Sequence, residues 1–442
     1  MSRSGFGLIP AEVAWVCPSW RKQFDCLIIL LMALPQPRAP EDAEFTKSSQ
    51  GESDRVDLAE QARVSVGCHL CGSSRSRPVC SAEELRVQRA WLARFYRRRW
   101  LVQNRATTED RLSFTQNYAT AIVACTDCGL LYRNPRPRQQ AIEKAYRTDR
   151  YDEAYLQAEF EAQRTWFRSK VPALARHLPR TAPRTAPRVL EIGSFVGGFL
   201  AEGMAAGWDV FGIDPGQDVV AFCRGRQLPV FQGTIEEARL APASYDAVAV
   251  WNTFDQLPDP HPLLRAAVPL LRDDGLLVVR VPNGACFEWA MTIRSNLPVR
   301  LRRPVDVALA WNNLLTFPYL YGYSAAQLIA LTAPYGFRLR ACLPDQLIAT
   351  PAGHLTWGGR IEERTVKAMS RAGSYAWRDR SSGRFRSSPW LDLYFERACG
   401  VDDPTGLLSA ELGLLPVYAP ALFGQTDFNC SRFGGIGGEG RS

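Results

Sequence analysis

Short apolar runs alternate with helical periodicity through the second half of the chain. RVLEIG (188–193), DVFGID (209–214), LPVFQGT (228–234), YDAVAVWN (245–252) and GLLVVRVPN (275–283) each predict a strand. Helical spacing fills the gaps: one helix runs from the Gly-rich turn after Ile192 through Ala206, and a second carries Val219, Val220 and Phe222. A third runs from Pro262 to Leu271. Strands alternating with helices predict an α/β fold with a doubly wound, mostly parallel sheet. Ser324 to Ala333 predicts a further helix and FRLRACLP (337–344) a further strand. The aromatic stretch 284–323 lacks alternation and is expected to be a lid inserted after the fifth strand.

The first half has a different texture. Leu85, Trp91, Leu92 and Phe95 recur at helical intervals in an Arg-rich run, so 82–103 predicts a helix within an N-terminal domain spanning 63–140. A helical connector, 141–187, ends in the loop PRTAPRTAP (179–187), which marks the boundary of a core at 188–345. Residues 1–62 are expected to be a disordered or mis-started extension, since Pro35 to Asp57 shows almost no apolar periodicity. Residues 346–442 form a C-terminal region with the disordered, Gly-rich tail SRFGGIGGEGRS (431–442). The longest apolar run, Cys26 to Leu34, is half of the roughly 20 residues a spanning helix needs. No small-x-small cleavage site follows it, so a cytoplasmic protein without membrane attachment is expected.

Composition narrows this picture only a little. The chain has 442 residues, is 46% hydrophobic and 22% charged, and carries a net charge of +8. That excludes a disordered, collagen-like or coiled-coil reading of the whole. Only five of the 53 basic residues are Lys, and the Arg excess is spread along the chain, which names no anionic partner. The 12 cysteines are too sparse for a disulfide scaffold, but four form two C-x-x-C pairs, Cys68/Cys71 and Cys125/Cys128. Four thiolates on two such turns suit tetrahedral zinc in a closed, structural site, and point to a reducing compartment. Cys80 and His69 lack the paired spacing.

The turn after the first core strand reads LEIGSFVGGFL (190–200). Gly193 and Gly197 let the backbone approach a ligand, and the following helix aims its positive end there. Asp214 ends the second strand 21 residues after Gly193, where such folds hold a ribose. A dinucleotide fingerprint needs a second Gly where this chain has Phe195, whose ring obstructs a pyrophosphate. Glu191 beside the turn suits an ammonium better than a phosphate. A cofactor with a ribose, an ammonium and no phosphate fits best, and S-adenosylmethionine is one.

These residues resemble a class I S-adenosylmethionine-dependent methyltransferase over 188–283, with a Rossmann-like sheet. LEIGS (190–194) resembles the first motif and GIDP (212–215) the ribose-binding acid. YDAVAVWNTFDQLPDP (245–260) and LLRDDGLLVVRVPN (270–283) resemble the fourth- and fifth-strand blocks. The resemblance implies that Glu191, Gly193, Ser194 and Gly197 surround the methionyl part and that Asp214 binds the ribose. It also places Gln232, Gly233, Thr234 and Ile235 at the adenine, and Trp251 and Asn252 beside the sulfonium. Phe195 replaces the family's usual Gly, and Gln256 stands where a His is frequent. C-x-x-C-G followed by LLYRNPRP (130–137) and a Tyr-rich helix resembles bacterial methyltransferases with an N-terminal zinc-binding domain, including sugar C-methyltransferases.

Methyl transfer from a sulfonium mainly requires alignment, with a base only where the acceptor must lose a proton. The four His (69, 177, 261 and 354) read as surface or structural groups, and Tyr319, Tyr321 and Tyr323 as wall residues, so no catalytic base is assigned. The expected activity is methylation of a small-molecule acceptor, such as a nucleotide-linked sugar or secondary metabolite, at carbon or oxygen. An RNA methyltransferase using Arg94 and Arg97 to Arg99 is the second reading. A binding protein that kept the fold without catalysis is the third.

Overall fold

The computed structural model describes residues 63–101, 120–178, 186–350, 352–376 and 386–397. The expected N-terminal extension, the Gly-rich tail and most of the 179–187 loop lie outside the described residues. Among those described, no helix is long and apolar enough to cross a membrane.

The N-terminal part contains β1 (Ser76–Cys80), α1 (Ala82–Arg97), β2 (Ile122–Cys125) and β3 (Leu131–Arg133), and Arg63–Val64 pairs antiparallel with Arg136–Pro137. Helix α1 begins at a capping box: the Ser81 hydroxyl accepts from Glu84 N–H and the Glu84 carboxylate accepts from Ser81 N–H. It stops at Arg97 rather than 103, because Trp100 swings away to bridge Leu355 and bury its ring. The connector is two helices, α2 (Gln139–Thr148) and α3 (Glu153–Ala175).

The core follows the expected alternation: β4 (Arg188–Ile192), α4 (Gly198–Ala205), β5 (Asp209–Asp214), α5 (Gln217–Gly225), β6 (Val230–Gln232), β7 (Tyr245–Trp251), α6 (His261–Leu270) and β8 (Leu271–Pro282). After these come α7 (Gly284–Asn296), α8 (Arg303–Trp311), β9 (Tyr321–Gly322), α9 (Ala325–Thr332), β10 (Phe337–Asp345), α10 (Trp357–Ala376) and β11 (Trp390–Arg397). The main sheet has seven strands in the order β10-β11-β8-β7-β4-β5-β6. Strands β4 to β8 pair in parallel, while β11 is antiparallel to both β8 and β10. The fold is therefore a Rossmann-like, doubly wound, mostly parallel α/β sheet.

Both faces of the sheet are covered, which is why its strands read as continuous apolar runs. Leu190, Val248, Val250 and Val279 face α6 and α9, whereas Val189, Ala247, Ala249 and Val278 face α3, α4 and α5.

Two segments behave differently from the sequence reading. The stretch 284–323, expected to be a lid, folds as α7, α8 and β9, and β9 pairs with β3 to complete a second sheet, β9-β3-β2-β1. Its Trp311, Leu314 and Phe317 share a core with Leu92 and Phe95 of α1, their apolar partner surface. The main sheet also extends beyond 345, taking β11 from the region expected to lie outside the core. Two strand pairings, with β8 and with β10, decide that, and no local pattern announces them.

Candidate cofactor site and cysteine cluster

Strand order reverses at β4, whose neighbours are β7 and β5, so the crevice for a ligand lies at the carboxyl ends of β4 and β7. Two turns meet there. Gly193 has φ +73, and a Cβ at this position would come within 2.2 Å of Thr253 Oγ1. Only glycine therefore lets the turn after β4 sit against the turn after β7. Gly197 is the left-handed N-cap of α4, at φ +74.

Asp214 ties the turn to the end of β5. Its Oδ2 accepts from Phe195 N–H at 2.8 Å and its Oδ1 from Gly216 N–H at 2.9 Å. Burial raises its carboxyl to about 6, opposed by those two donors. A carboxylate has about four acceptor positions, so two remain for a ribose diol. Glu191 is 2% exposed, and its Oε2 has no hydrogen-bond partner among the described residues. Burial, then the charge of Asp214, pushes its carboxyl well above the usual range. The buried Ser194 hydroxyl is likewise unpartnered. Unsatisfied buried acceptors beside a Gly turn fit the ammonium and ribose ends of S-adenosylmethionine.

The other assigned residues divide. Gln232 and Thr234 are exposed at the end of β6, whereas Gly233 and Ile235 are buried, and Gly233 N–H donates to Asp214 O at 3.0 Å. Trp251 needs correction as a sulfonium neighbour. Its indole is turned into the core against Phe167 (5.7 Å between centroids) and Phe199 (5.8 Å), the apolar place for so large a ring. Asn252, in the left-handed region at φ +57, is the residue left at the strand end. Phe195 also has positive φ, +45, and its ring meets Tyr151 edge-on at 5.6 Å.

Asp255, three residues beyond Asn252, received no role from the sequence. It is 1% exposed, and neither carboxylate oxygen has a hydrogen-bond partner among the described residues. Burial pushes its carboxyl up to about 8. Its place beside Gln256, the position of the family's frequent His, was the one signal available. Gln256 itself is immobilised: its Oε1 accepts from Tyr146 OH at 2.9 Å and its Nε2 donates to Asn252 O at 2.5 Å. Tyr321 and Tyr323 are buried, and Tyr323 OH pairs with His69 Nε2 at 2.9 Å. His261 Nδ1 is 2.7 Å from Tyr335 OH, a packing role.

The four expected cysteines converge, with all their sulfurs within 4.8 Å of one another. Cys68 and Cys128 sulfurs are 3.4 Å apart and those of Cys71 and Cys125 are 3.5 Å apart. A tetrahedron with zinc–sulfur bonds of about 2.3 Å needs sulfurs about 3.8 Å apart, so the donor set fits zinc. Cys68 is lowered to about 6, chiefly by the Cys128 thiol hydrogen-bonding to it. In the Arg-rich helix, Arg94, Arg97 and Arg98 are exposed, but Arg99 is buried and bidentate to Glu362 at 2.7 and 2.8 Å.

Residues 162–340 match a family model described as a methyltransferase domain. Among curated proteins, it is similar to the ubiquinone biosynthesis O-methyltransferases of Yersinia enterocolitica (32% identical over 105 residues; 22% of this chain, 43% of that protein) and Sodalis glossinidius (34% over 105 residues; 22% and 42%). The chain spans less than half the length of these relatives. Among solved structures, a methyltransferase from Archaeoglobus fulgidus is 16% identical, with TM-score 0.34, covering 56% of this chain and all of that one. The plantazolicin methyltransferase BpumL in complex with SAH is 13% identical, with TM-score 0.35, covering 59% and 95%.

Proposed function

We propose that the protein transfers a methyl group from S-adenosylmethionine to a small-molecule acceptor, of the nucleotide-linked-sugar or secondary-metabolite class. The observation that carries this reading is the pair of buried carboxylates, Glu191 and Asp214, flanking a turn that only Gly193 permits at the sheet's switch point. When bound, the cofactor supplies an already activated methyl group. Glu191 receives the ammonium, Asp214 the ribose, and the turns after β4 and β7 hold the methionyl part between them.

Methylation at oxygen or an acidic carbon also needs a proton acceptor. Asp255 has two unpartnered oxygens, and its raised carboxyl is a competent base only above about pH 8. The O-methyltransferase names of the relatives agree with an acceptor of this kind. The Cys68, Cys71, Cys125 and Cys128 cluster is read as a structural zinc centre that fixes β2 against the 68–71 turn.

Calorimetry with S-adenosylmethionine and S-adenosylhomocysteine tests the cofactor, and methyl-labelled S-adenosylmethionine with a panel of nucleotide sugars, phenols and RNA tests the acceptor. Binding of neither cofactor form overturns the reading. Binding without transfer to any acceptor leaves a non-catalytic protein, and transfer to RNA alone replaces the small-molecule acceptor.

A further inference from the structure

Arg280 lies on β8, in register with Trp251 on β7 and Asp392 on β11, and is fully buried. Its guanidinium is sandwiched between Trp166 of α3, 4.4 Å away, and Trp390 of β11, 4.2 Å away. Nε lies 2.9 Å from Asp345 Oδ2 and 3.4 Å from Asp392 Oδ1, and Nη2 donates to Gln346 O at 2.7 Å. Lys170 of α3 completes the group, 2.9 Å from Asp345 Oδ2 and hydrogen-bonded to Asp392. Two cations and two carboxylates thus balance in the interior. Such groups are weak evidence for stability, since apolar replacements often do as well.

The cluster has a direct link to the cofactor site. Arg280 Nη1 donates to Asn252 Oδ1. A guanidinium can only donate, so the orientation of the Asn252 amide is fixed, with Nδ2 turned away from Arg280. Asn252 N–H donates to Arg280 O at 3.2 Å, and Asn252 O accepts from Gln256. Every other polar group of this left-handed residue is therefore held. Its neighbour Thr253 is the residue that presses on Gly193. The charges stand behind the turn against which the methyl donor would lie.

We propose that the Lys170–Arg280–Asp345–Asp392 cluster sets the preference of the site for a sulfonium cation over the neutral thioether left after transfer. This rests on the methyl-donor reading above. Arg280 is required to hold Asn252, and alone it would repel a sulfonium. The two carboxylates and Lys170 bring the cluster to zero, so the Asp214 carboxylate dominates the field at the sulfur. An unbalanced positive charge would weaken binding of the donor and leave the product nearly unaffected, whereas loss of mere support would weaken both alike.

The test is the ratio of dissociation constants for S-adenosylmethionine and S-adenosylhomocysteine, measured by calorimetry on the full chain at neutral pH. Asp392→Asn keeps the shape and leaves one excess positive charge. At an effective dielectric of about 20, it should shift the ratio against S-adenosylmethionine by about threefold or more. Adding Lys170→Met restores neutrality and should return the ratio towards the wild-type value. If Asp392→Asn does not fold, Lys170→Met alone must move the ratio the opposite way. Equal weakening of both ligands, or an unchanged ratio, overturns the proposal. Failure of the wild-type protein to bind either ligand overturns the methyl-donor reading instead.

Discussion

Gly193→Ala tests whether the turn after β4 is as tightly constrained as its geometry implies. Two strains add. The residue sits at φ +73, where an L side chain is disfavoured by about 1–2 kcal/mol. The new Cβ would also meet Thr253 Oγ1 at 2.2 Å, Cγ2 at 2.8 Å and Cβ at 2.9 Å. Thr253 is β-branched and short, so it cannot fold its tip aside, and overpacking of this kind costs about 1–3 kcal/mol. The sum is about 2–5 kcal/mol, to be relieved by unfolding or by shifting the turn. A shifted turn pulls Phe195 N–H away from Asp214, so cofactor affinity falls with stability. Chemical denaturation and calorimetry with S-adenosylhomocysteine read the two outcomes, and a loss of about 1.4 kcal/mol in binding is tenfold in affinity. Thr253→Gly removes all three contacts. The double variant should therefore recover about 1–3 kcal/mol relative to the sum of the singles, retaining only the left-handed strain. Wild-type affinity and midpoint in Gly193→Ala, or simple additivity in the cycle, refutes the close-packed turn.

Three further outcomes follow from the same geometry. Asp255 has a folded-state carboxyl raised to about 8 from an ordinary value near 3.8, so the folded chain holds a proton the unfolded chain has lost. Stability should fall as pH rises between those values, by up to about 1.4 kcal/mol per pH unit, and Asp255→Asn should flatten the slope in urea midpoints. Methyl transfer to an ionisable acceptor should rise through about pH 8 in the wild type and lose that limb in the same variant. Chelation should remove one zinc per chain, detected by atomic absorption, and loosen 63–80 and 120–133 to proteolysis, with Cys125→Ser reproducing the effect; unchanged digestion counts against the metal. Arg99→Ala leaves Glu362 with only the Trp311 indole N–H as a donor and should destabilise the chain by about 2–3 kcal/mol in denaturant unfolding, more than Arg97→Ala at its exposed neighbour.

What was legible in the sequence was whatever is written locally. The central strands β4, β7 and β8, buried on both faces, show as apolar runs, because each strand's own residues decide that outcome. The Gly193 turn and the two C-x-x-C pairs are equally local, since spacing alone brings their atoms together. Strand β11 was not visible, although WLDLYFER (390–397) is as apolar as its partners, because nothing local says it pairs between β8 and β10. The same limit hid Arg280: a lone Arg in a buried strand is explicable only once Trp166, Asp345 and Trp390, from three different elements, are seen around it. Trp251 failed in the opposite way, since its position matched a motif while its ring answered to Phe167 and Phe199. Asp255 shows why this matters for chemistry. Its carboxyl is raised to about 8 by burial, a property of the assembled interior that no local motif records.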